Sequence, residues 1–280
     1  MNQKVILSLS TIPPRFGMLG ETLNSLINQK RRADEIHVYI PKIYKRFPEH
    51  NFCMPDVPEG VSIKIIDFDY GPATKILPCA LDNRGTNTRI VYGDDDRFAD
   101  DSWLDEIIQC SNERPEDVIV SAGMTLENYG LTEKNQKLMP RAKIKKVRYD
   151  VDYVTKKIRN KFLQITRNKP QIKPGRYYYD SSGYVDFAMG VGGVSVRSDF
   201  FDETFFKIPD ILWSVDDIWL SGNFTRLGRG IWASKKIKIP VGTDASNISS
   251  LAQSVIQGHD RYKADRACIS YLKETHGIWQ

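Results

Sequence analysis

Two spacings of apolar residues alternate along the first half of the chain, and each dictates a different local structure. "VILSLS" (residues 5–10), "EIHVYI" (35–40), "VSIKIIDF" (61–68), "TRIVYG" (88–93) and "DVIVSAG" (117–123) are short apolar runs rich in β-formers, as buried strands are. Between them the spacing turns helical. Leu19, Leu23, Leu26 and Ile27 make one apolar stripe over residues 18–29, and residues 73–81 and 100–110 read as two further helices. In "TIPPRF" two prolines break the chain after the first strand, because they suit neither a helix interior nor a sheet ladder. Strands alternating with helices predict an α/β fold with a mainly parallel sheet flanked by helices. Ligands of such sheets collect beyond the carboxyl ends of the strands. Residues 11–15, 67–75 and 94–96 all fall at predicted strand ends, and that convergence is the first pointer to a site.

After Tyr129 the periodicity fails, and residues 130–180 show no clear strand. They read as a basic insertion or lid in one domain over 1–280, between a half at about 1–125 and another at about 185–280. Regular pattern returns with "VDFAMGVGGVSVR" (185–197). No internal repeat or low-complexity tract is present.

Composition excludes several classes. Apolar residues are 41 % and aromatics 11 % of the 280 residues, which is ordinary for a packed domain and too high for a disordered chain. No apolar run approaches the roughly 20 residues of a membrane span, and the six-residue run near the N-terminus is too short for a secretory core. The four cysteines, Cys53, Cys79, Cys110 and Cys268, form no CxxC pair. They predict neither a zinc site nor a disulfide framework, and the expected setting is reducing and cytoplasmic. The net charge of +5 hides an asymmetry: residues 134–176 hold fifteen Lys and Arg against Asp150 and Asp152, which leaves the remainder at −8. This stretch reads either as a solvated basic face or as a surface for a phosphorylated acceptor or for anionic headgroups, peripheral at the inner face of the plasma membrane. No nucleic-acid module surrounds it, and nucleic acid is not an expected partner.

Four stretches carry candidate chemistry. "VYGDDDRF" delivers Asp94, Asp95 and Asp96 at a strand end, a cluster of hard oxygen ligands of the kind Mg²⁺ or Mn²⁺ takes together with substrate phosphates. The other reading is a solvated turn with Arg97 as counter-ion. "GVGG" (190–193) permits close approach of a ligand or a tight turn. "WSVDDIWLSG" sets Asp216 and Asp217 at a helix start. There they serve the helix dipole, with Ser214 and Asp217 spaced as a capping box, or accept a proton from a hydroxyl. "IQGHDRYK" offers His259 beside a glycine.

Taken in order, a strand ending in a DxD-type motif, a glycine loop, an acidic pair at a helix start and a C-terminal histidine resemble the hallmarks of GT-A fold glycosyltransferases. "LSLSTIPPRF" and "YGPATKILP" are similar to openings of family-2-like bacterial enzymes that build capsule or lipopolysaccharide glycans. The resemblance covers roughly residues 4–125 and 185–265. It implies a nucleotide-sugar donor, a saccharide or lipid-linked acceptor and a Mn²⁺ or Mg²⁺ ion held by Asp94 and Asp96, with Asp96 the preferred ligand and His259 a further contact. It also implies that Thr11, Pro13 and Arg15 flank the nucleotide, that Asp67 or Asp69 meets the base or ribose, and that Lys75 reaches a phosphate. Asp94 and Asp95 would lie along the donor, and Gly192 and Gly193 would border donor sugar and acceptor. Asp217 would be the base of an inverting transfer, with Asp216 in place of the Glu more usual before it.

Two rival readings stand beside this one. A nucleotidyltransferase would share sheet, metal and nucleotide, but "LSTIPPRF" has prolines where a triphosphate-cradling loop needs glycines. A non-catalytic module would use the basic segment to bind acidic glycan or membrane.

Overall fold

The apolar runs become the middle of an eight-stranded sheet. The computed structural model describes residues 3–51, 53–132, 138–167, 176–249 and 261–280. Its sheet strands are β1 (Lys4–Ser10), β2 (Glu35–Pro41), β3 (Val61–Ile66), β4 (Thr88–Tyr92), β5 (Val118–Val120), β6 (Gly183–Val185), β7 (Val194–Arg197) and β8 (Ile231–Ala233). Their spatial order is β6-β8-β5-β7-β4-β1-β2-β3. Only β7 and β6 run against the rest, so the sheet is mainly parallel, as the alternation predicts.

Parallel strands covered on both faces read as continuous apolar runs, and β1 and β4 are buried almost throughout. Successive side chains go to opposite layers. Ile6, Ile90, Tyr92 and Val196 join one core beneath the helices α2 (Leu77–Asp82), α5 (Asp216–Arg226) and α6 (Arg261–His276). Val5, Leu7, Leu9 and Val91 join the other beneath α1 (Leu19–Ile27) and α3 (Trp103–Glu113). Edge strand β3 is only half covered.

Three features depart from the sequence reading. The helix expected over 73–81 is split into a 3-10 turn, Gly71–Lys75, and α2, and each begins with a proline at its first or second position. The segment expected to lack regular structure contains a 17-residue helix, α4 (Val151–Arg167), and short antiparallel pairs that tie residues 143–144 to 179–181 and 176–177 to 238–239. Helix α5 opens at Asp216 with Val215 in the capping position, one residue later than a box built on Ser214 requires. Among the described residues no helix is long and apolar enough to cross a membrane.

Candidate functional site

A cleft of about 760 Å³ opens at the carboxyl ends of β1, β2 and β4, where a parallel sheet presents its ligand-binding edge. That volume falls in the range of small-molecule and cofactor sites. Thr11 and Arg15 come from the proline turn after β1, Asp69 and Lys75 from the turn after β3, Asp94 to Asp96 from the end of β4, and Asp216 and Asp217 from the first turn of α5.

The three aspartates diverge. Asp95 turns back under the loop, where Thr11 Oγ1 donates to its Oδ2 (2.6 Å) and Arg15 Nη1 to its Oδ1 (2.5 Å). Burial pushes its pKa up to about 6 although Arg15 and Thr11 pull it down. Asp96 stands between two guanidinium groups, with Oδ2 3.0 Å from Arg15 Nη1 and Oδ1 3.0 Å from Arg97 Nε. Asp94, 30 % exposed, faces the cleft, and its Oδ1 receives the Lys75 ammonium at 2.7 Å.

Lys75 is the hub. Its Nζ lies 2.8 Å from Asp216 Oδ2 as well, which ties the end of β4 to the start of α5 through one buried cation. Burial alone would lower the lysine pKa. The carboxylates of Asp216, Asp94 and Asp217 outweigh it and hold the pKa well above the ordinary value. Burial would raise the carboxyl of Asp94, and here Lys75, Arg97 and Arg15 win and hold it low. Glycine at 190 is what lets the ammonium in, because a Cβ there would overlap Lys75 Nζ and come within 3.0 Å of Asp94 Oδ1. Gly190 N–H donates to Asp217 Oδ1 (3.0 Å). The acidic pair is thereby divided: Asp216 is buried against Lys75, and Asp217 is half-buried on the cleft wall, held by a backbone amide.

Among the described residues no three His, Cys, Asp or Glu side chains are grouped so as to hold a metal ion, and His259 lies outside those residues. Mg²⁺ and Mn²⁺ need no such cage when one or two carboxylates act with substrate phosphates. The carboxylates that would serve in that mode are held by side-chain cations in this structure. Asp94 presents a partly exposed carboxylate to the cleft, and Asp96 is the carboxylate next in line, shared with Arg15 and Arg97.

Other expected residues sit elsewhere. Asp67 is exposed and pairs with Lys42, off the cleft. Pro13 shapes the turn without lining the cavity. Gly192 and Gly193 lie behind the wall: the Gly192 carbonyl accepts from Ser121 Oγ (2.6 Å) and Trp103 Nε1 (3.2 Å), and Gly193 has φ +81° against the Trp103 ring. Asp69 lines the cleft, and its oxygens accept from the backbone N–H groups of Lys45 and Gly71 (both 2.8 Å).

The sequence reading misses an apolar and aromatic end of the cleft, formed by Met124, Tyr129, Phe187 and Tyr262, and also Met189 and Trp213 in its lining, the latter beside Asp69 and Gly71. Trp213 is carried in by its indole N–H, which donates to the Asp69 carbonyl (2.9 Å), over a glycine at 71 that leaves room for it. Tyr129 and Tyr262 stack at 5.8 Å, and Asp265 accepts from the Tyr129 hydroxyl (3.0 Å). Nothing local distinguishes these aromatics from core residues. Trp213 beside "SVDD", Phe187 just before "GVGG" and Tyr262 in "IQGHDRYK" stand next to recognisable motifs, but no spacing marks them as lining one cleft.

No protein-family model and no curated protein matches the chain. Among solved structures it is similar to the crystal structure of S. aureus TarS 1–349, at 10 % identity and a TM-score of 0.45, over 99 % of this chain and 72 % of that one. At that score the similarity carries no weight in reading the site.

Proposed function

We propose that the protein is a glycosyltransferase that moves a sugar, with inversion, from a nucleotide-sugar donor to a hydroxyl of a saccharide or lipid-linked acceptor. The resemblance of its motifs extends this to capsule or lipopolysaccharide assembly. One observation carries the reading: a single cleft holds a buried cation paired with Asp94 and Asp216 and, beside them, a half-buried, amide-held carboxylate, Asp217, on the cleft wall.

At the strand-end side of the cleft Arg15, Arg97 and Lys75 are ion-paired with Asp94, Asp95, Asp96 and Asp216, so the positive charge a diphosphate needs would be supplied by a divalent ion. Asp94, with Asp96 beside it, would hold the Mn²⁺ or Mg²⁺, and the chemistry such an ion supplies is neutralisation of charge on the departing diphosphate. Asp217 accepts the proton of the acceptor hydroxyl as that oxygen bonds to the anomeric carbon and the bond from that carbon to phosphate breaks. Asp216 keeps Lys75 in place and, ion-paired below the surface, does not reach the acceptor. The aromatic end of the cleft offers flat apolar faces against which a sugar ring packs. A triphosphate-cradling glycine loop is replaced by the turn Pro13–Met18, which disfavours nucleotidyl transfer.

The test is a panel of nucleotide sugars with release of nucleoside diphosphate as readout, in the presence of Mn²⁺. Asp217→Asn is expected to lower turnover by about 10²–10⁴-fold, the usual worth of a general base, with donor affinity unchanged. Turnover near that of wild type would remove Asp217 from this role.

A further inference from the structure

Helix α4 presents three apolar residues to solvent. Val151, Ile158 and Phe162 are 72 %, 65 % and 66 % exposed. Their spacing of seven and then four residues puts them on one stripe of the helix, at 100° per residue. Lys157, Arg159 and Lys161 are exposed on the flanks of that stripe. Tyr153, on the opposite side, is half-buried and has the Arg176 guanidinium 5.7 Å from its ring. The buried carboxylate of Asp150 accepts from Tyr153 N–H (3.1 Å) and fixes the helix start. The helix is thus held at Asp150 and Tyr153 and carries a narrow, mostly exposed apolar band with cations beside it. The chain leading into it continues the pattern, since Val147 and Tyr149 are 46 % and 62 % exposed, with Lys146 and Arg148 exposed between and before them.

We infer that this face is a docking surface for an anionic lipid bilayer. Cations alone would serve any polyanion, whereas an apolar stripe between them gains by leaving water, and the headgroup boundary of an anionic bilayer meets both. An interfacial helix buries such a stripe about 5–10 Å into the headgroup and acyl boundary while its Lys and Arg side chains meet anionic headgroups. Free polyanions, nucleic acid included, would leave the stripe in water. The surface is separate from the cleft, and it joins the sheet at edge strand β6 through residues 179–181.

The experiment is co-sedimentation of the full chain with vesicles of phosphatidylcholine alone or with about 30 % phosphatidylglycerol, which gives roughly the surface charge of an anionic cytoplasmic leaflet. Wild type is expected to bind the anionic vesicles at least about tenfold more tightly than the neutral ones, in a salt-sensitive manner. Ile158→Asp with Phe162→Asp, and separately Lys157→Gln with Arg159→Gln and Lys161→Gln, are each expected to weaken that binding about tenfold or more at unchanged Tm. Equal partition to both vesicle types, or none to either, overturns the inference. So does anionic binding that survives the aspartate pair and is competed away by heparin, which would identify a polyanion site. The wild-type comparison decides even if a variant fails to fold.

Discussion

Lys75 is the residue on which the candidate site turns, because one buried ammonium answers two carboxylates from distant parts of the chain. Taking an ion pair out of water is costly, and its members stay charged only while each has the other. Lys75→Met keeps most of the volume and removes the charge, leaving Asp216 and Asp94 together without it. The expected cost is about 3–5 kcal/mol of stability, with loss of nucleotide binding. Lys75→Met combined with Asp216→Asn removes the buried uncompensated charge and should recover much of the Tm but not the binding. Thermal denaturation and nucleotide titration of both variants check this. A Lys75→Met protein as stable as wild type would mean that the ammonium is not the buried counter-ion described here.

At the scale of elements, the glycine turn between residues 187–188 and β7 separates packing from chemistry within four residues. Gly193 takes a left-handed φ of +81°, and a Cβ there would penetrate the Trp103 ring on α3, which is itself buried. Gly193→Ala therefore carries backbone strain of about 1–3 kcal/mol and overpacking of a similar size. The expected result is a clear fall in Tm. Gly190→Ala instead meets the tip of Lys75, so, unlike Gly193→Ala, it should cost donor binding as well as Tm. If the two variants lose stability and binding in the same proportion, the turn has no such division. The sequence made the central strands legible because burial on both faces leaves continuous apolar runs, as in β1 and β4. Three-residue strands such as β6 and β8 are too short to carry a period, and the reversal of β7 between β4 and β5 is a long-range pairing with no local mark. Helix α4 escaped notice because its stripe is sparse and faces water. The site followed the same rule. Its carboxylates stood out as motifs, whereas the partnership of Lys75 with Asp216, the inward turn of Asp95 and the aromatic end of the cleft are products of the fold.

Across the whole molecule the charge is segregated, with the basic stretch around α4 set against an acidic remainder. Within that remainder one histidine gives the fold's stability a pH dependence of its own. His37 lies in β2, one strand in from the edge of the sheet, almost fully buried, with Nε2 2.9 Å from Glu35 Oε2 and Nδ1 3.4 Å from the Tyr39 hydroxyl. Desolvation lowers its pKa, Lys64 and Lys4 add to that, and Glu35 and Asp82 oppose without winning. A neutral ring with its proton on Nε2 donates to Glu35 as an imidazolium would, so the contact does not require charge. Below the ordinary histidine value of about 6.5 the unfolded chain takes up a proton that the folded one resists. Stability attributable to His37 is therefore complete above that pH and is lost as the pH falls toward the lowered folded value, at no more than about 1.4 kcal/mol per pH unit. His37→Gln removes the titration while retaining a donor toward Glu35. Measured between pH 7.5 and 5.5, wild type should lose Tm more steeply than His37→Gln, and the two curves should converge on the acid side of their starting separation. Parallel curves would mean that the folded protein protonates His37 as readily as the unfolded chain, and that the pair with Glu35, not desolvation, governs the ring.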